Sequence, residues 1–463
     1  LSNAPSLSFD SLPLAPALLS NLADIGYSQL TEIQAAALPP IIEGRDVIAQ
    51  AKTGSGKTAA FGLGVLHKLQ VERFRVQTLV MCPTRELADQ VARELRKLAR
   101  AIHNIKILTL CGGMPFGPQL GSLEHGAHII VGTPGRIEEH VRKGTLVLEH
   151  VDTLVLDEAD RMLDMGFQAS LDAIVEQVPR ARQTLLFSAT FPDAIEALTA
   201  RVMQSPLLVK VEAKHEASSI KQHFYRVAHN DQRLAAVAQV ILHFGPESAV
   251  VFCNTKRETE EIAEYLRNEG MQALAIHGDL EQKQRDQVLV CFSNKSASVL
   301  VATDVAARGL DIEALDLVIN YHLSRDSEVH VHRIGRTGRA GASGVAVSLL
   351  SDREDFKLEK IAELVGELPA IETLPEARRA YLPEPAMVTL QIDGGKKQKL
   401  RPGDIVGALT RNDQLAFEDI GKIQVYDQWA YVAVARNEWK KALTQLEQGK
   451  LKGRSFRVRR IKV

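Results

Sequence analysis

Eight residues constrain this chain more than any others: Ala51-Lys52-Thr53-Gly54-Ser55-Gly56-Lys57-Thr58. An apolar run, Val47-Ile48-Ala49, precedes them, and a helical pattern from Thr58 to Leu69 follows. A glycine-rich loop between strand and helix turns backbone N–H groups into one concavity, where phosphate oxygens bind. In that setting Lys57 reaches the β and γ phosphates of a nucleotide, and the Thr58 hydroxyl holds Mg²⁺. The usual pattern begins with Gly, whereas this chain has Ala51. From the octapeptide alone, an ordinary glycine-rich turn is the alternative.

The surroundings favour the phosphate loop. From Val47 to Val209, short apolar runs rich in β-branched residues alternate with helical patterns. Strands are expected at Val47–Ala49, Thr78–Met81, Ile105–Leu110, His128–Val131, Thr153–Leu156 and Thr184–Phe187. Helices are expected between them, as at Glu86–Arg100 and Phe167–Gln177. Such alternation builds βαβ units and a mostly parallel sheet, buried on both faces. The pattern then starts again, with strands at Ala249–Cys253, Ala273–Ile276, Val299–Ala302, Leu317–Tyr321 and Val345–Leu349. This second stretch has no phosphate loop. The expected fold class is therefore α/β, with one lobe over 1–212 and another over 213–366. A joint near Glu212–Ser219 makes a cleft of variable width between them.

A proline-broken connector, 367–386, leads into a segment of another kind. Residues 387–463 read as βαββαβ: strand Met387–Ile392, helix Pro402–Leu409, strands Gly421–Val425 and Trp429–Ala435, helix Glu438–Glu447, strand Ser455–Ile461. That order is the split βαβ arrangement used by RNA-recognition folds. The charge supports it. The chain's net charge is −1, yet residues 387–463 hold 16 Lys and Arg against 8 Asp and Glu. A basic tail on an acidic body suits a polyanionic partner. No apolar run approaches the ~20 residues that span a bilayer. There is no secretory pattern at the N-terminus, and the four cysteines lack metal-ligand spacing. A cytoplasmic protein without a membrane partner is expected.

The acids of Val155-Leu156-Asp157-Glu158-Ala159-Asp160 follow directly on a buried strand. Strand C-terminal ends open onto the ligand crevice of a parallel sheet. Asp157 there can hold Mg²⁺, and Glu158 can orient and deprotonate an attacking water. An acidic helix cap is the other reading of this run alone.

Together, Ala51–Thr58 and Asp157–Asp160 resemble the DEAD-box family of RNA-dependent ATPases. That resemblance implies two tandem RecA-like lobes, with ATP and Mg²⁺ as ligands and RNA as partner. Phe9, Gly26-Tyr27 and Gln34 resemble the adenine-recognition segment. Pro83–Leu87 with Thr84 and Arg85, Gly112-Gly113, and Thr133–Arg136 resemble the RNA-facing loops of the first lobe. Ser188-Ala189-Thr190 resembles the element that couples nucleotide state to strand separation. In the second stretch, Val251–Thr255, His277-Gly278, Gln282–Arg285 and Ala302-Thr303-Asp304 match further family segments. So do Ala307–Asp311 and His332–Arg339. By resemblance Thr255, Gln282, Arg285 and Thr303 meet RNA, and His332 takes part in coupling. Gly309 and Asp311 meet ATP, and Arg336 and Arg339 are arginine fingers. Guanidinium suits that role because it is always charged, planar and bidentate. Two departures stand out: Glu32 where Pro is frequent, and Glu139 where Asp is common.

The tail resembles the ribosomal-RNA-binding domain of one bacterial branch of the family. Its third strand has Trp429 and Tyr431 for base stacking and its first has no aromatic. Binding is therefore expected to rest on Lys396, Lys397, Lys399, Lys450, Lys452, Arg454, Arg457 and Arg459. The resemblance implies an ATP-dependent RNA helicase acting on large-subunit ribosomal RNA in a pre-ribosomal particle. A family enzyme of general RNA specificity and a nucleotide-gated RNA clamp remain open.

Overall fold

Seven short strands form the first sheet: β1 (Val47–Gln50), β2 (Thr78–Met81), β3 (Ile107–Leu110), β4 (Ile129–Gly132), β5 (Thr153–Asp157), β6 (Gln183–Ser188) and β7 (Leu207–Lys210). Their order is β3-β4-β2-β5-β6-β1-β7, and every paired neighbour is parallel. In the computed structural model, residues 8–51, 54–211, 220–227, 230–307, 315–324, 327–338, 344–365, 369–411 and 415–462 are described. The chain divides into two units, the first holding this sheet and the second holding two further sheets.

The helices of the first unit follow from capping and apolar spacing. Helix Arg85–Leu98 begins at Thr84, whose side chain accepts from the Leu87 N–H. It buries Leu87, Ala88, Val91, Ala92, Leu95 and Leu98, a stripe of helical period. The helix after the phosphate loop, Lys57–Lys68, has Gly64 in its interior. Glycine there costs roughly 0.5–1 kcal/mol in an exposed helix, but a Cβ at Gly64 would lie 2.2 Å from Ile41 Cγ2. The residue is the price of packing helix Glu32–Ile42 directly against the phosphate-loop helix.

The second unit repeats the design: β8 (Ile220–Arg226), β9 (Ala249–Cys253), β10 (Ala273–Ile276), β11 (Val299–Thr303), β12 (Leu317–Asn320), β13 (Gly344–Leu350) and β14 (Ile371–Glu372). The order is β10-β11-β9-β12-β13-β8-β14, again parallel. Strands β7, β8 and β14 were not among the expected ones. They lie at or next to sheet edges, where outer residues such as Lys221 and Gln222 stay exposed, so the continuous apolar run is missing. The proline-rich connector is likewise not a bare linker. Strand β14 extends the sheet, Leu374 and Leu382 join its core, and Gln239 Nε2 donates to the Pro375 carbonyl at 2.7 Å.

Buried ionic groups brace this unit. Arg233, 1% exposed, donates to Glu354 and to the carbonyls of Tyr321 and Leu349. Arg333, 2% exposed, forks onto Asp304 at 2.6 and 2.7 Å and also donates to the His322 carbonyl. His330 is fully buried beside Phe224. Burial, reinforced by Arg333, lowers its pKa to about 4. The folded imidazole therefore stays neutral while an unfolded one protonates near pH 6.5. Stability from this group is complete above pH 6.5 and is lost as pH falls toward 4, by up to about 3 kcal/mol. His330→Phe is expected to flatten the pH dependence of urea unfolding between pH 4 and 6.5. An unchanged slope would assign the acid sensitivity elsewhere.

The third sheet has β15 (Met387–Ile392), β16 (Ile420–Val425), β17 (Ala430–Ala435) and β18 (Val458–Arg460), in the antiparallel order β16-β17-β15-β18. Alternation sends Leu390, Ile392, Val432 and Val434 into a core with Ile405, Leu409 and Leu446 from two helices. The opposite face is not open. Thr389, Gln391, Tyr431 and Ala433 are at most 1% exposed, because the helix Gln282–Ser293 and the residues after it pack there. Asn294 Nδ2 and Ser296 Oγ lie 3.2 and 2.7 Å from Thr389 Oγ1, and Val290 and Cys291 meet Tyr431 and Ile461. Tyr431 is thus unavailable for base stacking, and Trp429 is drawn into the same seam.

Candidate active site

In the first sheet the C-terminal ends of six neighbouring strands carry the motifs. The phosphate loop follows β1, the acidic run ends β5, and Ser188–Thr190 ends β6. Thr84-Arg85, Gly112-Gly113 and Thr133–Arg136 follow β2, β3 and β4. Parallel pairing alone puts all six on one edge, where ligands of open α/β sheets bind.

The loop's shape depends on left-handed glycines: Gly54 at φ 79° and Gly56 at φ 92°. A Cβ on Gly56 would lie 2.5 Å from Gln34 Nε2. That amide donates to the Gly56 carbonyl at 3.1 Å, while its oxygen accepts from the Thr31 N–H at 2.9 Å. Gln34 therefore props the loop and caps its own helix, and both of its polar atoms are engaged. Phe9 is buried and meets Tyr27 edge-on at 6.2 Å; Tyr27 in turn donates to Glu94. Lys57 is 6% exposed and donates to the Ala51 carbonyl at 2.7 Å. Ser55 Oγ is buried without a hydrogen-bond partner among the described residues. A cradle of positive-φ glycines, a buried ammonium and an orphaned hydroxyl fit a polyphosphate. Thr58, in the first turn of the helix, and Asp157 supply the oxygen donors that Mg²⁺ prefers.

Asp157 is 3% exposed; burial first, then Glu158, pushes its carboxyl up to about 7, against the pull of Lys57. Glu158 is at φ 53°, a left-handed conformation rare outside glycine. Its carboxylate accepts from Arg161 Nη1 at 2.8 Å in a buried pair. Asp160 accepts from both the Thr190 N–H at 3.0 Å and its hydroxyl at 2.8 Å. Burial alone would raise the Asp160 pKa, but these bonds outweigh it and hold the group low. The acidic run and Ser188–Thr190 are thus one bonded assembly. Sequence reasoning missed Arg161, although its place three residues after Glu158, on the short helix Ala159–Asp164, was a usable signal.

The RNA-side loops of this lobe are also connected. Thr133 Oγ1 accepts from the Gly112 N–H at 3.2 Å, and Gly113 is left-handed at φ 73°. Arg136 donates to the Met114 carbonyl and pairs with Glu139 at 3.0 Å, which also holds Lys143. Glu139, longer than the usual Asp, thus serves to orient Arg136.

The second unit repeats the geometry. Thr255 follows β9 and caps helix Lys256–Asn268 in a capping box with Glu258. Gln282 and Arg285 lie on the helix after β10, and Thr303 ends β11. Arg336 is 7% exposed and His332 lies on helix Ser327–Ile334. Thr53, Gly309, Asp311 and Arg339 lie outside the described residues. In the tail, the turn with Lys396, Lys397 and Lys399 meets the segment with Lys452 and Arg454. Lys452 Nζ donates to the Lys399 carbonyl at 2.7 Å, and both lysines are left-handed, at φ 50° and 61°.

Three family matches cover this arrangement: DEAD/DEAH box helicase over 31–198, helicase conserved C-terminal domain over 232–341, and DbpA RNA binding domain over 389–460. The chain belongs to the DEAD-box helicases. It is 52% identical to the ATP-dependent RNA helicase DbpA of Escherichia coli (strain K12) over 97% of this chain and 98% of that one. It is 46% identical to the DEAD-box ATP-dependent RNA helicase CshA of Geobacillus kaustophilus, over 76% of this chain and 75% of that one. Saccharomyces cerevisiae Dbp5 bound to RNA and ADP BeF3 superposes with a TM-score of 0.71 at 30% identity, covering 79% of this chain and 95% of Dbp5. As a DEAD-box helicase of the DbpA type, this protein is an ATP-hydrolysing enzyme with an RNA-binding tail.

Proposed function

We propose that this helicase uses ATP to open short duplexes in large-subunit ribosomal RNA during ribosome assembly in the cytoplasm. The tail carries this reading. It matches the DbpA RNA binding domain, and its usual stacking face is covered while its basic turns stay outside. Lys396, Lys397, Lys452 and Arg454 then grip a folded RNA by its phosphates. Holding it raises the local concentration of nearby duplex at the lobes.

In the first lobe Lys57 and the loop N–H groups bind the phosphates, and Gln34 keeps the loop open. Thr58 and Asp157 would hold Mg²⁺, which supplies charge neutralisation at the phosphates. Glu158 accepts the proton of the attacking water, its side chain exchanging Arg161 for that water. Arg336 and Arg339 meet the charge that develops on the transferred phosphoryl group, and Asp311 with Gly309 holds the nucleotide. Asp160 carries the change to Thr190, and the loops of Thr84, Arg85, Gly113, Thr133 and Arg136 bear on one RNA strand. Thr255, Gln282, Arg285 and Thr303 bear on the same strand from the second lobe, with His332 in the coupling.

ATPase stimulation by ribosomal, messenger and homopolymer RNA tests the specificity. Ribosomal RNA is expected to act at the lowest concentration. Changing Lys396, Lys397, Lys452 and Arg454 to Ala is expected to raise that concentration at least about tenfold. Equal stimulation by all three RNAs would sink the ribosomal reading.

A further inference from the structure

The helix Gln282–Ser293 does two things at once. Its first turns carry Gln282 and Arg285, and one face of it seats on the sheet of the tail. Lys283, Asp286, Val290, Cys291 and Asn294 recur at helical spacing toward that sheet. Lys283 Nζ stands 5.0 Å from the centroid of the Trp429 ring. Tyr431 packs against Val290 and Cys291 of the same helix, and Asp286 accepts from Gln282 Nε2 at 2.9 Å. The helix that seats the tail's aromatics is thus the one that carries the residue expected to meet RNA in the lobe.

The seam is not built for adhesion alone. Trp429 Nε1, Tyr431 Oη, Gln391 Oε1, Gln424 Oε1 and Asn294 Oδ1 are buried in or beside it without partners among the described residues. Such atoms cost stability, and apolar groups of the same shape would adhere better. A helix is stiff, so fixing one face fixes where its neighbouring face points, and small misplacements at a working site are costly.

We infer that Trp429 and Tyr431 are positioning residues: they set the rotation of the helix Gln282–Ser293 and thereby aim Gln282 and Arg285 at the RNA strand. The tail then improves the lobe's grip on RNA that the tail itself does not bind. This rests on the reading that Gln282 and Arg285 contact RNA.

The test uses the full chain and a short oligouridine, which offers the tail no folded structure. Trp429→Ala is expected to raise the KM for oligouridine in the ATPase reaction about 3- to 10-fold, with kcat at saturation changed less than about twofold. Trp429→Phe keeps a ring face for Lys283 and should recover most of the affinity. In a Gln282→Ala background, Trp429→Ala should add less than about twofold, because both act through one contact. Lys283→Ala, an exposed change on the lobe side, should reproduce the KM effect without disturbing the tail's core. An unchanged or lower KM in both Trp429→Ala and Lys283→Ala, with Gln282→Ala still raising it, overturns the positioning role. A Gln282→Ala protein with normal KM instead overturns the RNA contact on which the inference rests.

Discussion

Glu158→Gln is expected to lower kcat for ATP by about 10²- to 10⁴-fold while binding of ATP and RNA persists. The side chain keeps its length, and its amide oxygen can still accept from Arg161, so the buried pair becomes a neutral-acceptor hydrogen bond rather than a void. What disappears is the ability to take a proton. Without hydrolysis the protein should accumulate in its ATP- and RNA-bound state, seen as RNA retained on immobilised protein only when ATP is present. Single-turnover ATPase reads the chemical step directly. A kcat within about threefold of the parent would remove Glu158 from the role of base.

The second large effect concerns stability. Arg333→Ala is expected to cost about 3–5 kcal/mol, the range for breaking one side of a buried ion pair. The guanidinium is 2% exposed and forks onto Asp304, so its loss strands a carboxylate at the end of β11. Urea unfolding of the full chain should show the transition of the second unit moving to lower denaturant, with the first unit's unmoved. Adding Asp304→Asn should restore part of the loss, since the cost lies in the stranded charge. If the double variant is as unstable as the sum of the two single ones, the fork is not the cause.

Arg333 also shows how far the sequence could be read. Three arginines at a spacing of three look alike on paper, all suited to phosphoryl charge. Burial separates them: Arg333 is consumed by Asp304, Asn320 and the His322 carbonyl. The strands of the sheet centres were legible because parallel strands need apolar residues on both faces. Edge strand β7 and the polar β8 were not, since half of their residues face away from the core. The site motifs were legible as residue types, because phosphate binding demands glycine, lysine and hydroxyl in fixed order. Much of their internal wiring was hidden: Gln34 on the Gly56 carbonyl and Asp160 on Thr190 join residues 22 and 30 apart and are set by packing, whereas Arg161 on Glu158 is a local pair three residues apart. The tail's fold was visible in its element order, but the aromatic strand suggested an open stacking face. Only the second unit's helix, more than a hundred residues earlier, reveals that face as covered.

That cover has a practical side for anyone shortening the chain. Cutting away residues 387–463 would uncover Val290 and Cys291, now closed under Tyr431 and Ile461. The Cys291 thiol, pushed up to about 12 chiefly by burial, would return toward its ordinary acidity and become open to alkylating and oxidising reagents. The trimmed enzyme would therefore tend to self-associate and to cross-link on storage, and its behaviour would report a new sticky surface as much as a missing RNA binder. Replacing Cys291 by Ser in such a fragment, or leaving the chain whole and removing only surface charges, keeps the two effects apart.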